Sequence, residues 1–138
     1  MSNGFANPEG DYQIAGVANT GSKIRLDYLE PGGSGTGLLL PTGNVVDEIN
    51  IDEKKITISI VDAATPLVYI KSDDLGLTCT ENPDELDANK QASQLIEKIR
   101  CKAAVMINLA TSENEVPLGT PRIGIVSEPR DFQALDKS

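Results

Sequence analysis

The sequence predicts an α+β fold, a curved and mostly antiparallel β-sheet wrapped around one long central helix. Three observations carry that reading. Short stretches with alternating apolar and polar residues fill the region before residue 71, one long stripe with helical spacing runs from Lys90 to Ala110, and a last aliphatic stretch, Pro121–Ser127, comes before a polar tail. Strands, then a helix, then a strand is not the regular strand–helix alternation of a parallel sheet.

Taken in order, residues 1–10 are polar, rich in Asn, Gly and Pro, and read as a leader or turn. Tyr12–Ala18 is short and partly β-prone, with Gly16 marking a bulge or weak point, and Asn19–Gly21 is a turn. Ser22–Glu30 alternates strictly, with Ile24, Leu26 and Tyr28 on one side and Lys23, Arg25 and Asp27 on the other, the pattern of a half-buried strand. Val45–Ile51 and Lys54–Val61 flank Asp52-Glu53, the spacing of an antiparallel hairpin. After a kink at Asp62-Ala63-Ala64-Thr65, Pro66–Ile70 continues as a short strand, and Pro66 biases Thr65 away from helical geometry.

Asn82-Pro83-Asp84-Glu85 combines a capping residue, a first-turn proline and carboxylates that suit the helix dipole. A short first helical segment ends near Asn89. From there Ala92, Leu95, Ile96, Ile99, Ala103, Met106, Ile107 and Ala110 recur at three- and four-residue intervals. The stretch Ala103–Ala110 is apolar nearly all round, which predicts strands on more than one side of it.

Composition excludes several classes of function. With 138 residues, the chain can hold one domain or one lobe of something larger, and 39% hydrophobic content is enough for a core. The net charge of −9 repels phosphate backbones, so no nucleic-acid partner is expected. Lys90, Lys98, Arg100 and Lys102 form a local basic group, read as a solvated helix face. Histidine is absent, which removes the commonest metal ligand and general base, and the two cysteines, Cys79 and Cys101, are far apart in sequence; no metal site is predicted. No apolar run is long enough to span a membrane and the first residues lack the pattern of a signal peptide, so a cytoplasmic protein with no membrane partner is expected.

The most distinctive stretch is Leu29–Asp47, LEPGGSGTGLLLPTGNVVD. Its glycines permit close backbone approach, and Pro31 and Pro41 shape the chain around them. A nucleotide-binding reading of GGSGTG fails because Leu38-Leu39-Leu40-Pro41 follows where such loops need a helix. A structural loop remains open, and so does a small-anion contact through backbone N–H groups. Asp62 and Thr65 at the kink suit close approach by a ligand, or hydrogen bonds to amides of their own turn, and the sequence leaves both open. Cys101 reads as small apolar packing inside the helix, and Asp73-Asp74 and Asp84-Glu85 as solvent-facing or capping carboxylates. No catalytic residue is identified.

The segments GDYQIAGVANTGSKIRLDYLEPGGSGTGLLLPTGNVVDEI, ITISIVDAATPLVYIKSDDLGLTCTE, LIEKIRCKAAVMINLA and PRIGIVSEP, in that order, resemble the PrpF family of 2-methylaconitate cis-trans isomerases, with related oxalomesaconate tautomerases and methylitaconate isomerases. The resemblance implies a diaminopimelate epimerase-like fold of two lobes facing each other across a cleft. It also implies that this chain matches the middle of a family subunit, with 1–50 the end of the first lobe and 51–138 the start of the second. The implied chemistry is proton transfer that shifts or isomerises the double bond of a small unsaturated di- or tricarboxylic acid, without metal or organic cofactor. The family's acid/base Lys and Cys or Ser belong to motifs that no part of this chain matches, and Cys79 stands where relatives commonly have glycine. The cleft-lining, substrate-binding candidates are Asp62, Thr65, Gly33, Ser34, Thr42 and Gly43. Thr65 replaces an Asn that contacts substrate in the wider fold. An incomplete lobe also implies a homo-oligomer formed through an unpaired sheet edge. A second reading of the same residues is a non-catalytic small-molecule-binding or assembly module that kept the fold without the chemistry.

Overall fold

A computed structural model describes residue 5 and residues 7–131. The chain divides into two compact units, Met1–Glu30 and Pro31–Ser138. The expected lobe boundary at 50/51 therefore falls inside the second unit, within strand β1 (Asp47–Ile51).

In the first unit, Tyr12 and Gly21 exchange backbone hydrogen bonds of 3.0 Å and close a loop around residues 13–20. Gly16 sits in that loop at φ +78° and turns the chain, where the sequence suggested a bulge or a weak strand. The predicted strand Ser22–Glu30 does not form. Ile24, Leu26 and Tyr28 are 79, 74 and 73% exposed, and the segment has no ladder. Alternation describes which side chains share a face, but a strand also needs a neighbour to take its N–H and C=O groups, and among the described residues no strand of this unit supplies one.

The second unit is built on a four-stranded sheet in the order β1, β2 (Lys54–Asp62), β3 (Pro66–Lys71) and β4 (Arg122–Val126). β1 and β2 form the predicted hairpin, Ile51 facing Lys54 across Asp52-Glu53. Asp52 takes φ +54°, as a two-residue hairpin turn requires. β2 and β3 are antiparallel with Asp62 opposite Pro66, and Ala64 takes φ +73° in the three-residue turn between them. The pairing that the sequence did not anticipate is β3 with β4, which run parallel. A parallel pair needs a long crossover, and here the helices supply it.

Helix α1 (Ser72–Leu75) follows β3 directly and stops at Gly76, where φ is +70° and the Leu77 N–H reaches back to the Ser72 carbonyl. Helix α2 (Pro83–Ala88) opens on the predicted cap. The Glu85 N–H donates to Asn82 Oδ1 at 3.0 Å, and the Asn82 N–H donates to Glu85 Oε2 at 2.9 Å. Helix α3 (Lys90–Met106) follows, with the Asn89 side chain accepting from the Ala92 N–H. It ends before the expected Ala110 because Asn108 adopts φ +57° and turns the chain off the axis. The Asn108 N–H then bonds the Val105 carbonyl and the Leu109 N–H the Ala104 carbonyl, a Schellman closure.

The core lies between α3 and one face of the sheet. Ile56, Ile58 and Ile60 of β2 are fully buried with Val68, Ile70, Ile99 and Ala103. Burying each isoleucine contributes roughly 1.5–3 kcal/mol. α3 touches β1 at one edge of the sheet and β4 at the other, so the sheet curves about the helix. Arg100, assigned by the sequence to a solvated face, points inward instead and is buried.

Candidate functional site

Loop 31–39 lies against the end of the β2–β3 hairpin. The Ala64 N–H donates to the Pro31 carbonyl, the Gly33 N–H to the Asp62 carbonyl at 2.7 Å, and the Asp62 N–H to the Leu39 carbonyl at 2.9 Å. Gly32 forms an antiparallel bridge with Ala63. The loop folds back on itself as the Gly37 N–H donates to the Gly33 carbonyl at 2.7 Å.

The Asp62 side chain is fully buried at the centre of this arrangement. Its Oδ2 accepts from the Gly35 N–H at 2.8 Å, the Thr36 N–H at 2.7 Å and the Thr36 hydroxyl at 2.9 Å. Successive N–H groups aimed at one point make an anion cradle. Here the anion is internal, because the carboxylate occupies the place that a bound anion would take. Of the two roles left open for the GGSGTG loop, the amides of Gly33, Gly35, Thr36 and Gly37 are committed to the structural one. Asp62 Oδ1 is buried without a partner among the described residues.

Gly33 and Asp62 are therefore brought together, but as loop and anchor. Ser34 sits exposed at the loop, and neither its N–H nor its hydroxyl is used within it. Thr65 is exposed in the hairpin turn. Thr42 and Gly43 belong to a separate turn that Asp47 orders: the Thr42 hydroxyl donates to Asp47 Oδ2 at 2.6 Å and Asn44 Nδ2 to Asp47 Oδ1 at 2.8 Å. Among the described residues no hydrogen bond links that turn to Asp62. Thr36 and Asp47 were not singled out from the sequence. For Asp47 the TGNVVD spacing was a local signal, but for Thr36 the partner lies 26 residues away.

Two glycines of the site separate conformational from steric demand. Gly33 has φ +80°, and a Cβ there would meet the backbone of Gly37 and Leu38 at 2.5 Å, whereas Gly43 has φ +79° with open space around it. Gly43→Ala is expected to cost about 1 kcal/mol, from the left-handed backbone alone. Gly33→Ala is expected to cost at least twice as much, because the loop must also shift. Urea midpoints of the two variants test this, and equal losses would show that the loop yields freely.

No paired acid and base occurs here. Cys101 lies on α3, half-buried. Burial pushes its thiol up, and Glu97 Oε1, 3.4 Å from Sγ, pushes it in the same direction. That is the environment of an inert packing cysteine. A groove of about 490 Å³ lies elsewhere, between the β1–β2 turn (Asp52, Lys54) and α3 (Gln91, Gln94, Leu95, Lys98), and none of the six candidate residues lines it. Among the described residues no group of three or more His, Cys, Asp or Glu side chains is placed to hold a metal ion, and no helix is long and apolar enough to cross a membrane.

Comparison with known proteins gives a consistent result. A family model described as "PrpF protein" matches residues 1–137. The chain is 36% identical over 135 residues to a 3-methylitaconate isomerase of Eubacterium barkeri, covering 96% of this chain and 36% of that protein. It is also 36% identical over 127 residues to a (4E)-oxalomesaconate Delta-isomerase of Novosphingobium sp. (strain KA1), covering 91% and 33%. The crystal structure of a methylitaconate-delta-isomerase superposes with a TM-score of 0.85 at 34% identity over 99% of this chain and 36% of that one. The chain thus spans about a third of the length of these relatives.

Proposed function

The chain belongs to the PrpF family, and from that membership we propose that it is one part of a cofactor-independent isomerase subunit that moves a proton to shift or isomerise the double bond of a small unsaturated di- or tricarboxylic acid. The observation that carries this reading is the match to isomerases over nearly all of the chain but only about a third of theirs.

In this proposal residues 1–50 close one lobe and 51–138 open the next. Asp62 holds the 32–37 loop rather than touching substrate. The exposed hydroxyls of Ser34 and Thr65 and the turn at Thr42-Gly43 remain the groups that would meet substrate carboxylates. A cytoplasmic setting and an oligomer formed through a sheet edge belong to the same proposal.

The isolated chain is expected to give no isomerisation of 3-methylitaconate, followed by the absorbance of the conjugated acid. Substituted for the matching 135 residues of the Eubacterium barkeri enzyme, it is expected to support turnover. Turnover by the chain alone, or a folded chimera without activity, would overturn the proposal.

A further inference from the structure

Ser34 stands between two pinned peptide planes. On its N-terminal side the Gly33 carbonyl accepts from the Gly37 N–H at 2.7 Å. On its C-terminal side the Gly35 N–H donates to the buried Asp62 Oδ2 at 2.8 Å. A trans peptide sets its N–H and C=O on opposite sides of one plane. The Ser34 N–H is therefore turned away from Gly37, and the Ser34 carbonyl away from the Asp62 carboxylate. Thr36 tightens the mount, since its N–H and its hydroxyl reach the same Oδ2 at 2.7 and 2.9 Å. With both flanking planes held, rotation of the side chain about Cα–Cβ is the main freedom left to the exposed Ser34 hydroxyl. Every donor and acceptor of this mount lies between residues 33 and 62.

We propose that Asp62 and Thr36 are positioning residues, and that what they position is the Ser34 hydroxyl as a donor to one carboxylate of the substrate. Among the described residues, Ser34 is the one member of 33–37 whose donors bond nothing. A donor on an ordered backbone loses less freedom when it binds, which is what preorganisation contributes to affinity. The assignment rests on the subunit reading above and adds how the loop is made to serve a ligand. It also carries its own sign. The Asp62 charge acting alone opposes a nearby carboxylate, so neutralising it would tighten binding. Weaker binding on neutralisation is the mark of lost positioning.

The test uses the chimera in which this chain replaces the matching 135 residues of the Eubacterium barkeri enzyme, with 2,3-dimethylsuccinate as the ligand. This saturated dicarboxylate has no double bond to move, so calorimetry reads binding whether or not the chimera turns over. Ser34→Ala is expected to raise Kd about tenfold, the loss of one hydrogen bond to a charged group. Asp62→Asn should raise it by a similar factor, against the sign of the charge removed. Thr36→Val should raise it about threefold, and Thr36→Ser should restore it. Because Asp62 acts through the one hydroxyl, the Ser34→Ala/Asp62→Asn double variant should stay within about twofold of the weaker single. Folded variants that melt earlier yet bind as before would make Asp62 and Thr36 a purely structural anchor and overturn the proposal. Tighter binding by Asp62→Asn, multiplied losses in the double variant, or a folded chimera that binds no dicarboxylate would overturn it too. Binding that responds as expected but without turnover of 3-methylitaconate overturns the isomerase reading alone.

Discussion

Asp62→Ala is expected to cost the second unit at least about 3 kcal/mol, the largest loss from any single substitution outside the isoleucine core. Three donors converge on Oδ2, from Gly35, Thr36 and the Thr36 hydroxyl, and the side chain is shielded completely from water. Alanine removes the acceptor of all three, at about 1–3 kcal/mol for each donor that stays buried. Asp62→Asn is expected to cost about half as much, because its carbonyl oxygen can replace Oδ2 while its amide takes the place of Oδ1, which already lacks a partner. Urea midpoints give the energies, and hydrogen exchange at the Gly35 and Thr36 amides gives the location. If the alanine variant lost less than about 1 kcal/mol with those amides still protected, the loop would be held by its own turns and not by the carboxylate.

That anchor also shows where sequence reasoning reached and where it stopped. The β1–β2 hairpin, β3, the Asn82 cap and the start of α3 were legible because each depends on residues within a few positions of one another. The strand pattern at Ser22–Glu30 was equally clear locally and yet forms no ladder, since pairing is a property of two segments and only one was visible. The end of α3 carried two opposed local signals. The apolar run through Ala110 argued for continuation and Asn108 for a left-handed stop, and the stop won by satisfying the last carbonyls.

The site was partly legible for the same reason. Gly33 and Asp62 were both recognised as special, but not as partners of one another, because neither glycine spacing nor a strand-end aspartate encodes a contact 29 residues away. Once the contact is known, both features have one cause. A buried carboxylate at the end of β2 needs donors, and a loop free of side chains at Gly33 and Gly35 is what lets backbone N–H groups come within 3 Å of it. A Cβ on Gly35 would stand 3.1 Å from the Pro66 ring, so the glycine serves the approach of the loop to the hairpin as well.

Arg100→Ala is expected to cost about 2–3 kcal/mol, and its companion Arg100→Lys nearly as much. The buried guanidinium donates from Nη1 to the carbonyls of Pro117 and Thr120, both at 2.8 Å, and from Nε and Nη2 to the two oxygens of Glu97 at 2.8 and 2.7 Å. It thereby ties the middle of α3 to the segment that delivers the chain into β4, so the parallel pairing with β3 depends on it. A planar fork can serve a carboxylate and two carbonyls at once, whereas a lysine ammonium has three donors on a single atom. The pair also sets the sign of a pH effect. Arg100 holds the Glu97 carboxyl below the ordinary carboxylate range. A group whose pKa is depressed by folding contributes its stability above its unfolded value and loses it as pH falls through the folded one. The melting temperature of the parent chain should therefore fall more steeply on acidification than that of Arg100→Ala, which lacks the partner. Parallel curves for the two proteins would show that the guanidinium acts through the carbonyls of the loop alone.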